Sequence, residues 1–555
     1  MSAAAVTATE AFDPRVKPIE WPEELLPTGT VTSSETKFIA LTAIAVSFLT
    51  SIPYFVGWWT SSAERVFSGV LQHSADSNNY LAYARQAQSG QWLFHNPMTG
   101  EPHANVFFNI EWLAIGKLAW LMHISLPAAM NVLRVASIAL MCYGVYWLSS
   151  HFLHSRFMRR AALVAILASG GFGWVAAVHL LHLKIDSSYF IDLSNGNLFP
   201  FYWALKLPHF LISETFAVLG LCCFHRAEAR GSTRHYWAAG LFYLLAGTCR
   251  PYDMLYVMAT TALYLTWECF RKDSVIKLKR FLPFLICIPL LGYYYWIFKI
   301  NPVFKWWSLP GRPAPSPWLL ILGFGLTSIG LITTVSKLGR RTFNHAMVFP
   351  VCALLTAILL TYSHHFFHFA FQFATNILIW AVIIIFISAE QFVLQFRKQN
   401  RRRRILVTGA LLLNTFTPLA LTAHAVMLAK NQDFQIDANL LAAYTWLNDH
   451  SQSDQLVLAD YKNSNQLPQY AHNRVFCGYD NAVNFAEKST AVDLFFSQSA
   501  TDEFRKQLLK QNAIQFVLIA KNEEPQLRRL AETGFATEIF RNQSAVIFYA
   551  ALAGK

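Results

Sequence analysis

The stretch ADSNNYLAYARQAQSGQWLFHNPMTGEPHANVFFN, Ala75 to Asn109, lies between hydrophobic segments and carries most of the early polar chemistry of the chain. Tyr80, Leu81, Ala84 and Ala87 recur at helical spacing between Ser77 and Ser89, and Gly90 stops the run. The spacing predicts a short amphipathic helix lying on something apolar. Asp76 heads it. A carboxylate at that position serves either as an N-cap, accepting from the first free backbone N–H groups, or as a chemical group facing the loop.

The surroundings decide the fold class. Of 555 residues, 54% are hydrophobic, 15% aromatic and only 14% charged, the composition of a chain that crosses a membrane many times. The net charge of +13 is unevenly spread. From Asn431 to Lys555 there are 11 Lys and Arg against 14 Asp and Glu, a net of −3, so the rest carries +16. A basic membrane part with a slightly acidic tail points to cytoplasmic anchoring loops and not to nucleic acid. Of eight Cys only Cys477 lies outside the hydrophobic segments, so the soluble part has no disulfide framework, and no C-x₂-C zinc spacing occurs.

Residues 1–35 read as a polar cytoplasmic tail, without the basic start and nearby apolar core of a cleavable signal. Residues 36–430 read as a transmembrane domain of about eleven spans, from 38–59 to 405–428, with a first large outer loop at 60–126. The count follows from the clusters Arg156-Arg159-Arg160, Arg226-Arg230-Arg234, 271–280, Lys337-Arg340-Arg341 and 397–404. Each pair of neighbouring clusters encloses two spans and one outer loop, and Lys and Arg mark cytoplasmic loops. Residues 107–122 are apolar enough to cross, yet crossing would carry Arg156 to the outside, so they are read as a re-entrant or interfacial helix. Glu111 then faces protein or water, since a carboxylate in hydrocarbon costs about 2.5–3.5 kcal/mol. The N-terminus lies inside and everything after about Lys430 outside, with Asp76, 182–205, Arg250, His364 and His365 on one outer surface.

After the last span the periodicity changes. Asp437 to His450 is helical, and short apolar runs at 455–459, 474–477, 515–520, 536–540 and 545–549 alternate with helical stretches around 492–496, 502–511 and 525–532. That alternation reads as a small extracytoplasmic α/β domain, 431–555, with a mainly parallel sheet. It holds no Gly-rich phosphate loop, no G-x-S-x-G and no H-E-x-x-H.

Four features together resemble the multi-spanning glycosyltransferases of the C fold. They are Asp76-Ser-Asn-Asn-Tyr80 with Tyr83 and Arg85, followed by Gly90, Trp92, Asn96 and Pro97; Leu133-Arg134-Val-Ala-Ser137 after an apolar segment; a second outer loop with Asp186 and Asp192; and a tail opening Tyr444-Thr-Trp446-Leu447. The family often has two adjacent acids in the first loop, whereas Ser77 follows Asp76 here. The resemblance implies a polyprenyl-phosphate-linked sugar as donor, a lipid, glycan or protein acceptor, and a site on the outer side of the cell membrane, a bacterial inner membrane. That chemistry needs a base near the acceptor and positive charge near the departing phosphate. Asp76 is then the base, and Asp186 or Asp192 completes an acidic pair that orients the acceptor or holds a divalent cation. Arg85, His103, His209, Arg250, His364 and His365 are the candidates for binding substrate, Arg having the planar fork that suits phosphate. Each has a plainer reading: snorkelling or pairing for Arg85, an interfacial cap for His209, turn chemistry for Asp192, and an aromatic belt for 363–368. A transporter or lipid flippase, or a non-catalytic subunit of an envelope polysaccharide system, remains as an alternative class. A transporter would show repeated halves and charges at mid-membrane, and here the charges gather at one face.

Overall fold

Apolar side chains on every face distinguish a helix that meets lipid from one that meets water. In α1 (Ser33–Trp59), Ile39, Ala43, Val46 and Tyr54 are buried against the protein, while Leu41, Ile44, Phe48 and Phe55 stand exposed. The computed structural model describes residues 28–550 apart from 72–73, 176–189, 195–197, 271–276, 309–313, 339–346, 368, 396–399, 454 and 521–533. Among these residues, six helices are long and apolar enough to cross a membrane: Ser33–Trp59, Leu126–Phe152, Pro208–Arg230, Leu278–Ile300, Ala370–Gln391 and Val407–Ala429. Pro317–Phe324 and Leu326–Ser336, bent by 107°, make a seventh if they cross as one. Eleven were expected. The difference lies in shorter or more polar helices at 233–249, 251–269 and 348–361 and in residues 161–181, which run into a stretch outside the described residues.

The expected loop helix is α2 (Ser74–Gln88), which begins three residues earlier than its apolar spacing required. Asp76 therefore sits within its first turn and not at its cap. It packs on α3 (Ile110–Met122), and Leu81 and Ala84 of the one meet Ile115 and Ala119 of the other in a buried cluster. At 13 residues α3 is about 20 Å long, too short for the roughly 30 Å hydrocarbon core. The approach of the two helices depends on Gly116. A Cβ there would lie 2.2 Å from the carbonyl oxygen of Ala84 and 2.5 Å from Cβ of Ala87.

Behind this pair stand α4 (Leu126–Phe152), α5 (Pro208–Arg230), α6 (Thr233–Cys249) and α7 (Pro251–Cys269). The far end of the bundle is nailed together by buried polar groups. Glu35 accepts from the backbone N–H of Thr32 at 2.8 Å and from the Tyr146 hydroxyl at 2.7 Å, and pairs with Arg159 at 3.3 Å. Arg226 donates to the Gly29 carbonyl, Arg280 pairs with Glu228 at 2.7 Å, and Glu390 accepts from the backbone of His154 and Ser155. Arg159, read from sequence as an anchoring charge, is wholly buried.

The C-terminal part holds α8 (Ala438–His450) and a five-stranded sheet of β3 (Leu456–Leu458), β4 (Arg474–Val475), β5 (Ile514–Ala520), β6 (Ala536–Arg541) and β7 (Ala545–Ala550), in the order β4-β3-β5-β7-β6. Every apolar run read as a strand forms one. The sheet is mixed, not mainly parallel: β3 runs parallel to β4 and β5, but β7 is antiparallel to both β5 and β6. A short hairpin imposes the reversal, with Asn542 Oδ1 accepting from the backbone of Ser544 and Ala545.

Backbone pairing joins the first loop to this part in two places among the described residues. β1 (Arg65–Phe67) pairs antiparallel with β2 (Gln435–Asp437). Residues 97–99 run along the open edge of β4, with Val475 N–H donating to Pro97 O at 3.0 Å, Gly478 N–H to Met98 O at 2.9 Å, and Thr99 bridging Cys477. An edge that would otherwise offer free N–H and C=O groups is thereby covered. Since α2 has no room to retreat from α3, Gly116→Ala is expected to destabilise the protein by about 1–3 kcal/mol. A fall in the thermal unfolding midpoint in detergent, absent in a Gly292→Ala control, where an added Cβ on a helix meets open space, checks it.

Candidate functional site

Two helix faces and one sheet loop meet at Asp76. Its Oδ1 accepts from the hydroxyl of Tyr479, which follows β4. Burial, and next the Asp76 charge, hold the Tyr479 phenol well above its ordinary value, so it stays a donor. Asn78 donates to Asn465 at 2.9 Å, and Asn465 donates back to the Ala75 carbonyl at 3.3 Å. The start of α2 is thus held from the C-terminal part by side chains at Asn465 and Tyr479.

One turn along α2, the ring of Tyr80 lies stacked on Trp112 at 5.3 Å and against His209 at 5.0 Å. Burial, and next the charges of Asp76 and Glu111, raise the Tyr80 phenol well above its usual range. Three helices begin here, for three local reasons. Asn109 caps α3, its Oδ1 accepting from Glu111 and Trp112 N–H, while its amide donates to Cys249 O at 2.9 Å. Leu207 is extended and Pro208 opens α5; Arg250 is extended and Pro251 opens α7. The α5 start has no side-chain cap. Helix N-termini carry partial positive charge and unused N–H groups, so three of them together favour an anion.

Side chains complete the arrangement. His209 Nδ1 lies 2.6 Å from Glu111 Oε2, with 12% and 1% of the two side chains exposed. The pair orients the imidazole and leaves Nε2 without a hydrogen-bond partner among the described residues. Arg250 is buried, pairs with Asp253 at 3.0 Å, donates to Gln372 at 3.0 Å and lies 4.3 Å over the Phe210 ring. It therefore comes with its own counter-ion.

The other expected residues lie elsewhere. Arg85 donates to Asn448 of α8 at 2.6 Å, fastening the far end of α2; burial lowers its pKa and the Asp449 charge opposes that. His103 accepts from Asn96 N–H at Nε2 and donates from Nδ1 to Glu101 O, both at 2.7 Å, so both nitrogens shape the loop. Burial lowers its pKa and, with His103 beside it, brings His95 down to about 4. Asp192 is wholly buried and ties together the Gly171 and Gly173 N–H groups and Thr417, with no described contact to Asp76. Asp186 lies outside the described residues. His364 and His365 are exposed, with rings 4.1 Å apart. No group of three or more His, Cys, Asp or Glu among the described residues is placed to hold a metal ion. Sequence reasoning passed over Glu111, Tyr479 and Gln372 as site residues. The run Asn109-Ile-Glu111 before an apolar segment is a cap signature that marks the first; nothing in the local sequence marks the other two.

No protein-family model matches the chain, and no curated protein matches it in sequence. Among solved structures it is similar to the cryo-EM structure of the arabinofuranosyltransferase AftD from Mycobacteria, at 13% identity and a TM-score of 0.59, over 95% of this chain and 42% of that one. The likeness is one of fold. The chain spans less than half the length of that protein.

Removing one member of a buried pair strands the other. Arg250→Ala is expected to destabilise by roughly 3–5 kcal/mol, whereas Arg250→Met with Asp253→Leu recovers most of the loss. Thermal unfolding of both variants in the same detergent checks it.

Proposed function

We propose that the chain is a membrane glycosyltransferase that moves a sugar from a polyprenyl-phosphate donor to an acceptor on the outer side of the membrane. The observation that carries this reading is the meeting of three helix N-termini and the Glu111–His209 pair beside Asp76. The acceptor hydroxyl attacks the anomeric carbon as Asp76 takes its proton; the bond from that carbon to the phosphate oxygen breaks, and its electron pair leaves with polyprenyl phosphate. The negative charge that gathers on the leaving oxygen meets His209 Nε2 and the uncapped N–H groups of α5. Arg250, neutralised by Asp253, acts as a positioning residue that supports Phe210 and the α7 start. The fold likeness to an arabinofuranosyltransferase supports the reaction class.

The same reading orders the chain in the membrane. Residues 1–35 are a cytoplasmic tail, 36–430 a domain of about eleven crossings, and 431–555 an extracytoplasmic domain, in a cell membrane of bacterial inner-membrane type. The basic clusters near Arg159, Arg226 and Arg280 share the end of the bundle remote from Asp76, which supports a cytoplasmic end opposite an outer site.

Asp76→Asn keeps the size and still accepts from Tyr479, so a positioning role survives it and a base does not. Transfer from a radiolabelled polyprenyl-phosphate sugar is expected to fall at least about a hundredfold with unchanged expression; near-normal transfer removes Asp76 from the chemistry. His209→Ala is expected to weaken donor use roughly tenfold to a hundredfold.

A further inference from the structure

A cavity of about 190 Å³ opens in the C-terminal part, lined by Tyr461, Cys477, Phe485, Ser489, Val492 and Asp493. It is tied to Asp76 by separate links. Cys477 stands two residues before Tyr479, whose hydroxyl donates to Asp76. The helix Tyr461–Gln466, which begins at the cavity, carries Asn465, the residue that holds Asn78 and Ala75 at the start of α2. Burial, with the charges of Asp480, Cys477 and Asp76 behind it, pushes the Tyr461 phenol up to about 12, so that ring stands within the field of the Asp76 carboxylate.

The lining has the chemistry of sugar recognition. Tyr461 is 40% exposed and presents a ring edge-to-face with Phe485 at 6.0 Å. Aromatic faces take the C–H side of a pyranose or furanose, and carboxylates and hydroxyls take its O–H groups. The Asp493 carboxylate and the Tyr461 hydroxyl have no hydrogen-bond partner among the described residues, and Ser489, which donates to Ala486 O at 3.1 Å, keeps its acceptor capacity. Asp493 disfavours a phosphate here, which sets this cavity apart from the helix N-termini beside His209. The volume is below the roughly 300–1,000 Å³ of pockets that enclose drug-sized ligands, and suits one ring.

We propose that this cavity holds one neutral monosaccharide ring of a glycan acceptor, stacked on Tyr461 with its hydroxyls on Asp493 and Ser489, and directs the next hydroxyl toward Asp76. The inference rests on the glycosyltransferase reading and adds the acceptor class to it. Donor phosphate and acceptor ring then approach Asp76 from opposite sides, one from the bundle and one from the sheet.

The test is binding without donor. The full chain in detergent micelles is measured by saturation-transfer NMR against methyl glycosides of glucose, galactose, mannose, N-acetylglucosamine and arabinofuranose. At least one is expected to bind, and Tyr461→Ala and Asp493→Asn are each expected to weaken it roughly tenfold. Asp493 is exposed, so its variant folds even if Tyr461→Ala does not. No binding of any glycoside, or binding indifferent to both substitutions, overturns the subsite. A chain that transfers sugar from polyprenyl phosphate yet binds no glycoside loses the subsite and keeps the function; one whose Tyr461-dependent binding accompanies no transfer loses the function and keeps the subsite.

Discussion

The hydrogen bond from Tyr479 to Asp76 crosses between two parts of the chain some four hundred residues apart in sequence. The first loop supplies a helix, α2, that would be marginal alone at 15 residues. The bundle supports it from below through Gly116 of α3, and the sheet part grips it from above through Asn465, Tyr479 and Asn448. A carboxylate in a flexible loop explores many positions, whereas one held by a half-buried phenol and a helix start has few. Pre-organisation of this kind is where a site gains most of its effect.

The bundle contributes charge without many charged residues. Three helices start within one patch because Asn109, Pro208 and Pro251 each end an extended segment there, and the positive ends of their dipoles add. Buried carboxylates at Glu111 and Asp253 face His209 and Arg250, so these side chains are partnered before any ligand arrives. The opposite end of the bundle uses the same device for a different purpose, with Glu35 and Arg159 paired to fix the start of α1.

Much of this was legible in the sequence, for physical reasons that differ between elements. Apolar content and the spacing of basic clusters report on a membrane bundle, and short continuous apolar runs report on buried strands, so β3 to β7 fell where the runs stood. That Arg250 has a partner to meet was legible because a charge between two apolar segments is costly alone, and Asp76 was legible as the head of an amphipathic loop helix. Strand direction was not: β7 follows β6 through a hairpin and so runs antiparallel to it, it lies antiparallel to β5 as well, and an apolar run carries no sign of direction. Arg85, His103 and Asp192 have the same residue types as site members, but their partners, Asn448, Asn96 and Gly171, are set by tertiary packing. Tyr479 was missed for the same reason, since its role exists only once β4 is in place, whereas the cap at Asn109 marks Glu111 locally and only its pairing with His209 awaits α5.

The most direct measurement is a cryo-EM structure of the chain in lipid nanodiscs with polyprenyl monophosphate bound. The account predicts phosphate density within hydrogen-bond distance, about 3 Å, of His209 Nε2 and the first-turn N–H groups of α5, on the Tyr80 side of the bundle. Phosphate density elsewhere, with His209 and the α5 start facing only lipid or solvent, would contradict it.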